Sequence, residues 1–170
     1  MDNKLFIGLV LTCYLLVQCQ SRPTQLEDFV GKEYRELNEF DFFKDYKDNG
    51  GYVVTSPDFQ DYVISNYSNG HATLLLLTTV VRQLDGKVNY IINDIHEISG
   101  LKDHQYFAAG ECSLNGNSRA TVTAVREHLL DADGQTDKVI KAWNVNWTSK
   151  RLEPIGTEGV TCIDLIHGDY

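Results

Sequence analysis

The residues of this chain that could do chemistry are five histidines, four cysteines and a surplus of acids. A zinc centre needs His and Cys ligands gathered at short spacings. His71, His96, His104, His128 and His167 are scattered singly instead. His96-Glu97 opens like a metalloprotease helix, but no second His follows four residues after the first, and the segment reads as a strand. Asp131-Ala132-Asp133-Gly134 opens like a calcium loop, yet Ile140 stands where the bidentate Glu belongs. The chain has no Gly-rich phosphate loop and no Gly-x-Ser-x-Gly elbow. The reading is of a protein that is not an enzyme and uses no metal and no cofactor.

The elements around these residues follow from hydrophobic spacing. Leu26, Phe29, Val30, Tyr34, Leu37 and Phe40 recur at helical intervals, which predicts one helix or two short ones over residues 25–46. Asp48-Asn49-Gly50-Gly51 then breaks the chain. Ser56-Pro57-Asp58 predicts the start of a second helix, with Phe59, Tyr62, Val63 and Tyr67 on one face and Asn69-Gly70 at its end. Branched and apolar residues predict strands over 73–81 and 88–95, joined at the Asp85-Gly86 turn. Residues 99–118 read as a long loop. Further strands are predicted over 120–130, 139–147 and 160–166, with a turn at Asp131–Gly134. Val139, Lys141, Trp143, Val145 and Trp147 share parity, so both tryptophans fall on one sheet face, either as core or as interface anchors. Helices followed by consecutive strands give an α+β fold: a helix packed across a four- or five-stranded antiparallel sheet, with an extra N-terminal helical segment.

Composition places this domain outside the cell. Lys4 precedes an apolar run over residues 5–17, too short to span a bilayer, and polar residues follow before Pro23. That is the layout of an export signal, here residues 1–21, which predicts a secreted, extracellular protein. Residues 22–49 then form an acidic extension and 50–170 the main domain. The net charge of −9 and the lack of a basic cluster argue against nucleic acid and anionic membranes as partners, and a monomer is expected. Removing the signal takes Cys13 and Cys19 with it and leaves Cys112 and Cys162. In an oxidising compartment this pair reads as a disulfide, two free thiols or an intermolecular bridge being the alternatives. Closing a loop of about 50 residues would be worth about 3–4 kcal/mol on the chain-entropy account. Asn66-Tyr67-Ser68 and Asn146-Trp147-Thr148 are candidate N-glycosylation acceptors.

The stretch from Gly50 onward resembles the cystatin family, inhibitors of papain-like cysteine proteases. Gly50-Gly51 matches the glycine pair at the start of a secreted cystatin domain, and Ser65-Asn66-Tyr67 echoes the end of the family's helix. Thr79-Val80-Val81-Arg82 matches its next strand. Gln83-Leu84-Asp85-Gly86-Lys87-Val88-Asn89-Tyr90 matches its central hairpin, with the glycine one place forward and an acid at an apolar position. The counterpart of the family's second hairpin, which carries Pro-Trp, is either Asn146-Trp147, with the Trp but not the Pro, or Glu127-His128-Leu129, with neither. The spacing of Cys112 and Cys162 differs from the family's final bridge, and the segment before Gly50 is additional. The resemblance implies a wedge made of Gly50, Gly51, Gln83, Leu84, Asp85, Gly86 and Trp147 that fills the cleft of a cathepsin-type protease without doing chemistry. The alternative it leaves is a secreted cystatin-like binding protein with another extracellular partner and no inhibition.

Overall fold

A computed structural model describes residues 25–108, 112–131 and 134–162; the expected export signal lies outside them, as does the end of the strand expected over 160–166. Eleven strands occur among the described residues. They are β1 (Glu33–Tyr34), β2 (Lys47–Thr55), β3 (Asp61–Ser68), β4 (Ala72–Arg82), β5 (Val88–Ser99), β6 (Gln105–Phe107), β7 (Cys112–Leu114), β8 (Asn117–Asp131), β9 (Gly134–Asn146), β10 (Arg151–Ile155) and β11 (Val160–Cys162). They form two antiparallel sheets, ordered β1-β5-β4-β3-β2 and β10-β9-β8-β7-β11, with β6 also on β8.

This corrects the expected α+β fold. The longest helical piece among the described residues is a four-residue 3-10 turn, so no helix lies across either sheet. Over residues 25–46 the apolar spacing is real but serves 3-10 turns, Leu26–Phe29, Leu37–Glu39 and Asp41–Phe43, in which residues three apart also share a face. Gly31, at φ +83°, turns the chain out of the first of them. The second expected helix is strand β3. Pro57 sits inside a tight turn closed by the Phe59 N–H on the Ser56 carbonyl, with Phe59 at φ +63°. Tyr62 and Tyr67, read as one helical face, then point to opposite sides of the sheet.

Packing explains the two sheets. In β4, Leu75 and Leu77 face the second sheet, while Leu74 and Leu76 face the other way. The inner face joins Tyr62, Ile64, Leu75 and Leu77 to Phe107, Val125, Trp143, Val145 and Leu152. The outer face is covered by the N-terminal segment, whose Phe29, Tyr34, Leu37 and Phe43 pack on Leu74, Leu76, Ile92 and Ile95. A bulge in β5 beside Leu77 and Thr78 lets Ile92 and Ile95 share that face despite opposite parity. A second bulge in β9 splits the face expected for residues 139–147: Val139 joins a third cluster with Cys112, Val122, Ala124 and Ala142, whereas Trp143 and Trp147 turn to the inter-sheet core. The loop expected over 99–118 holds β6 and β7. Cys112 and Cys162 stand opposite each other on β7 and β11 and are joined as a disulfide. The expected boundary at residue 50 falls inside β2, and residues 26–46 are part of the core.

A polar link fastens the sheets at one edge. The Asp94 carboxylate of β5 accepts the Leu152 N–H of β10 at 2.8 Å and bonds His96 at 2.9 Å. Its bond to Asp94 raises the His96 pKa. Burial pushes Asp94 up, but His96 and the Leu152 N–H outweigh it and hold Asp94 below the usual carboxylate range. His96 contributes fully below its unfolded value of about 6.5, and Asp94 fully above about 4, so the link is strongest between those limits. The melting temperature lost on His96→Gln is therefore expected to be larger at about pH 6 than at about pH 8.5, as the imidazolium titrates. A loss independent of pH would show that the link carries no charge.

Candidate functional site

Strand parity builds the site. Val63, Ser65 and Tyr67 of β3, Thr78 of β4 and Tyr90 of β5 fall on the outer face of the first sheet, with Gly51 of β2 paired to Ser65 beside them. Where the N-terminal segment crosses this face it leaves a cavity of about 320 Å³. Tyr34 to Asn38 and Tyr46 form its roof, and Asp48 stands on its wall. Gly51 keeps the floor low: a Cβ there would lie 2.6 Å from the Ile64 carbonyl oxygen and 2.9 Å from the Ser65 Cα.

The lining combines ring faces with converging hydroxyls. Tyr34 is buried, its ring 5.6 Å from that of Tyr90, and its hydroxyl lies beside those of Tyr67 and Thr78. Burial, aided by Tyr67, pushes the Tyr34 phenol far up. Burial and then the Asp48 charge raise Tyr67, and burial and then Glu97 raise Tyr46. These phenols therefore stay protonated near neutral pH, as donors that can also accept. A concave site with aromatic walls and a few placed polar groups is the form of a small-molecule site.

The residues expected to form a wedge are dispersed. Gly50 and Gly51 lie within edge strand β2, Gly50 at φ +101° and held by its N–H on Asp48 at 2.7 Å. Gln83, Leu84, Asp85 and Gly86 form the tight tip of the β4–β5 hairpin. Leu84 is fully exposed there. Asp85, kept below the usual range by the Lys87 N–H and ammonium, caps the turn, with Gly86 at φ +79°. Gln83 and Asn89 both donate to the Glu33 carboxylate of β1, at 3.2 and 2.7 Å. Trp147 packs on Tyr62 at 5.1 Å, at the margin of the inter-sheet core. The Asn66 amide donates to the Gly50 carbonyl at 3.2 Å. Asn146 closes the β9–β10 turn, accepting the Thr148 and Ser149 N–H groups and donating to Glu153.

The Asp137 carboxylate of β9 receives Tyr106 of β6 at 2.8 Å together with Arg126 and His128 of β8, which braces three strands. Burial opposes its charge, but these bonds and Arg126 lower its pKa. Among the described residues no group of three His, Cys, Asp or Glu side chains is placed to hold a metal ion. Sequence reasoning missed Tyr34, Ser65, Thr78 and Tyr90 because the pairings that gather them are non-local. The alternation of Val63, Ser65 and Tyr67 was the available signal, hidden by the helical reading of that segment.

Gly51→Ala is expected to force β2 away from β3 and to cost about 1–3 kcal/mol, the usual range for overpacking, measured by urea unfolding. Unchanged stability would mean that β2 yields freely and that the cavity floor is soft. No protein-family model, curated protein or solved structure matches the chain.

Proposed function

We propose that this chain is a secreted, non-catalytic binding protein that holds a small organic molecule between the first sheet and its N-terminal segment. The carrying observation is the tyrosine-lined cavity, where buried hydroxyls converge on a space of about 320 Å³. Its size falls at the lower end for ligand pockets, which suits a compact ligand. Rigid sheet residues supply the floor, so the ordering cost of binding falls mainly on the roof. A ligand-observed NMR screen of fragment-sized aromatic compounds tests this. Hits are expected to lose their signal with Val63→Phe, which fills the floor, while the circular dichroism of the variant stays that of the parent. Hits that persist with Val63→Phe would place binding elsewhere.

A second reading, inhibition of papain-like proteases, is favoured by the hairpin tip. Leu84 is bare at a turn braced by Asp85, Lys87 and Glu33, which is the kind of stiff apolar projection that can enter a cleft. Dispersal of Gly50, Gly51 and Trp147 would leave that contact to one hairpin. Titration of papain with the secreted protein is expected to give weak inhibition that Leu84→Ala abolishes. Full protease activity at micromolar protein would end this reading and leave the cavity untouched.

A further inference from the structure

The charges around the cavity suggest which ligand it takes; the inference rests on the small-molecule reading above. Its charged lining consists of Arg35, Glu36 and Asp48. Arg35 also lines the neighbouring depression beneath the hairpin, together with Glu39 and Asp85, and its charge is felt at Asp85. Arg35 is thus shared between the two depressions, and the cavity lining sets two carboxylates, Glu36 and Asp48, against this one guanidinium. Asp48 is fixed in place by the Gly50 N–H at 2.7 Å. Its charge is felt at the Tyr67 phenol, which it raises after burial. The other walls are the rings of Tyr34, Tyr46, Tyr67 and Tyr90, whose faces attract cations. The chain as a whole carries a net charge of −9, which raises the local concentration of cations and depletes anions.

We infer that the cavity selects a small organic cation, a protonated amine carried on a ring or short apolar body, over neutral and anionic molecules of the same shape. The ring body lies against the tyrosine faces, Leu37 and Val63, and the ammonium against the carboxylate side of the mouth. Tyrosine hydroxyls complete its hydrogen bonds by accepting from the ammonium. An anion in the same place would meet two carboxylates against the single Arg35 guanidinium.

Three probes on the same phenethyl body test the inference by calorimetry with the secreted protein at neutral pH: phenethylamine, 2-phenylethanol and 3-phenylpropanoate. The amine is expected to bind at least about tenfold tighter than the alcohol, with the carboxylate weakest, and raised salt is expected to weaken the amine most. Asp48→Asn and Glu36→Gln are each expected to narrow the gap between amine and alcohol. Thermal melts of both variants report whether they fold, and Glu36→Gln carries the test if loss of the Gly50 contact unfolds Asp48→Asn. Alcohol binding as tight as the amine, or tighter binding of the carboxylate, would overturn the charge selection and keep the cavity as a binding site. Failure of all three probes to bind would overturn both.

Discussion

Strand β4 is buried on both sides, and the rest of the molecule is arranged to make that possible. Leu74, Leu75, Leu76 and Leu77 are each at most 1% exposed. Burying one such side chain contributes about 2 kcal/mol, so the four together rival the net stability of a whole domain before entropy is counted. A strand with two apolar faces needs two covers. The second sheet covers one through Phe107, Val125, Trp143 and Val145. The other falls to the aromatic segment of residues 26–46, since no helix among the described residues takes that place. The cavity sits at the margin of that second cover, where Gly51 and Ser65 continue the floor past Leu76 with little side chain to fill the space.

The same constraint shows how far the sequence could be read. Unbroken runs of branched and apolar residues made the hairpin of β4 and β5 legible, as did the Asp85-Gly86 turn, because strand and turn signals there are local. Residues 25–46 were not legible as they stand, since Leu37, Phe40 and Phe43 recur every three residues and fit a 3-10 chain as well as a helix. Residues 56–67 misled for a related reason. Pro57 suits a turn as well as a helix start, and Tyr62, Val63 and Tyr67 suit either period over so short a stretch. β10 was hidden by Pro154, which argues against a central strand but is tolerated at an edge, where this strand lies.

The site was less legible than the fold. Motif spacing detects groups that act from adjacent positions, and here it drew attention to the hairpin of residues 83–90. In the folded chain Gln83 and Asn89 are turned to Glu33, so part of that motif serves to hold β1 in place. The cavity instead draws on five separate segments, from the roof to β5, whose residues meet only through pairing. Tyrosines spread along a sequence carry no pattern of their own. What unites Tyr34, Tyr67 and Tyr90 is the face on which register places them.

β1 is only two residues long, and with the flanking bonds between Gly31, Lys32 and Ile92 it forms the short seam along which the roof joins the sheet. The inter-sheet core lies on the other side of β4 and has no residue from this segment. The roof therefore forms a natural unit of sub-global opening, whose free energy lies below that of global unfolding. In amide hydrogen exchange this would divide the molecule: amides of residues 26–46 exchange through partial opening, while those in the middle of β4 and β9 wait for the whole fold to come apart.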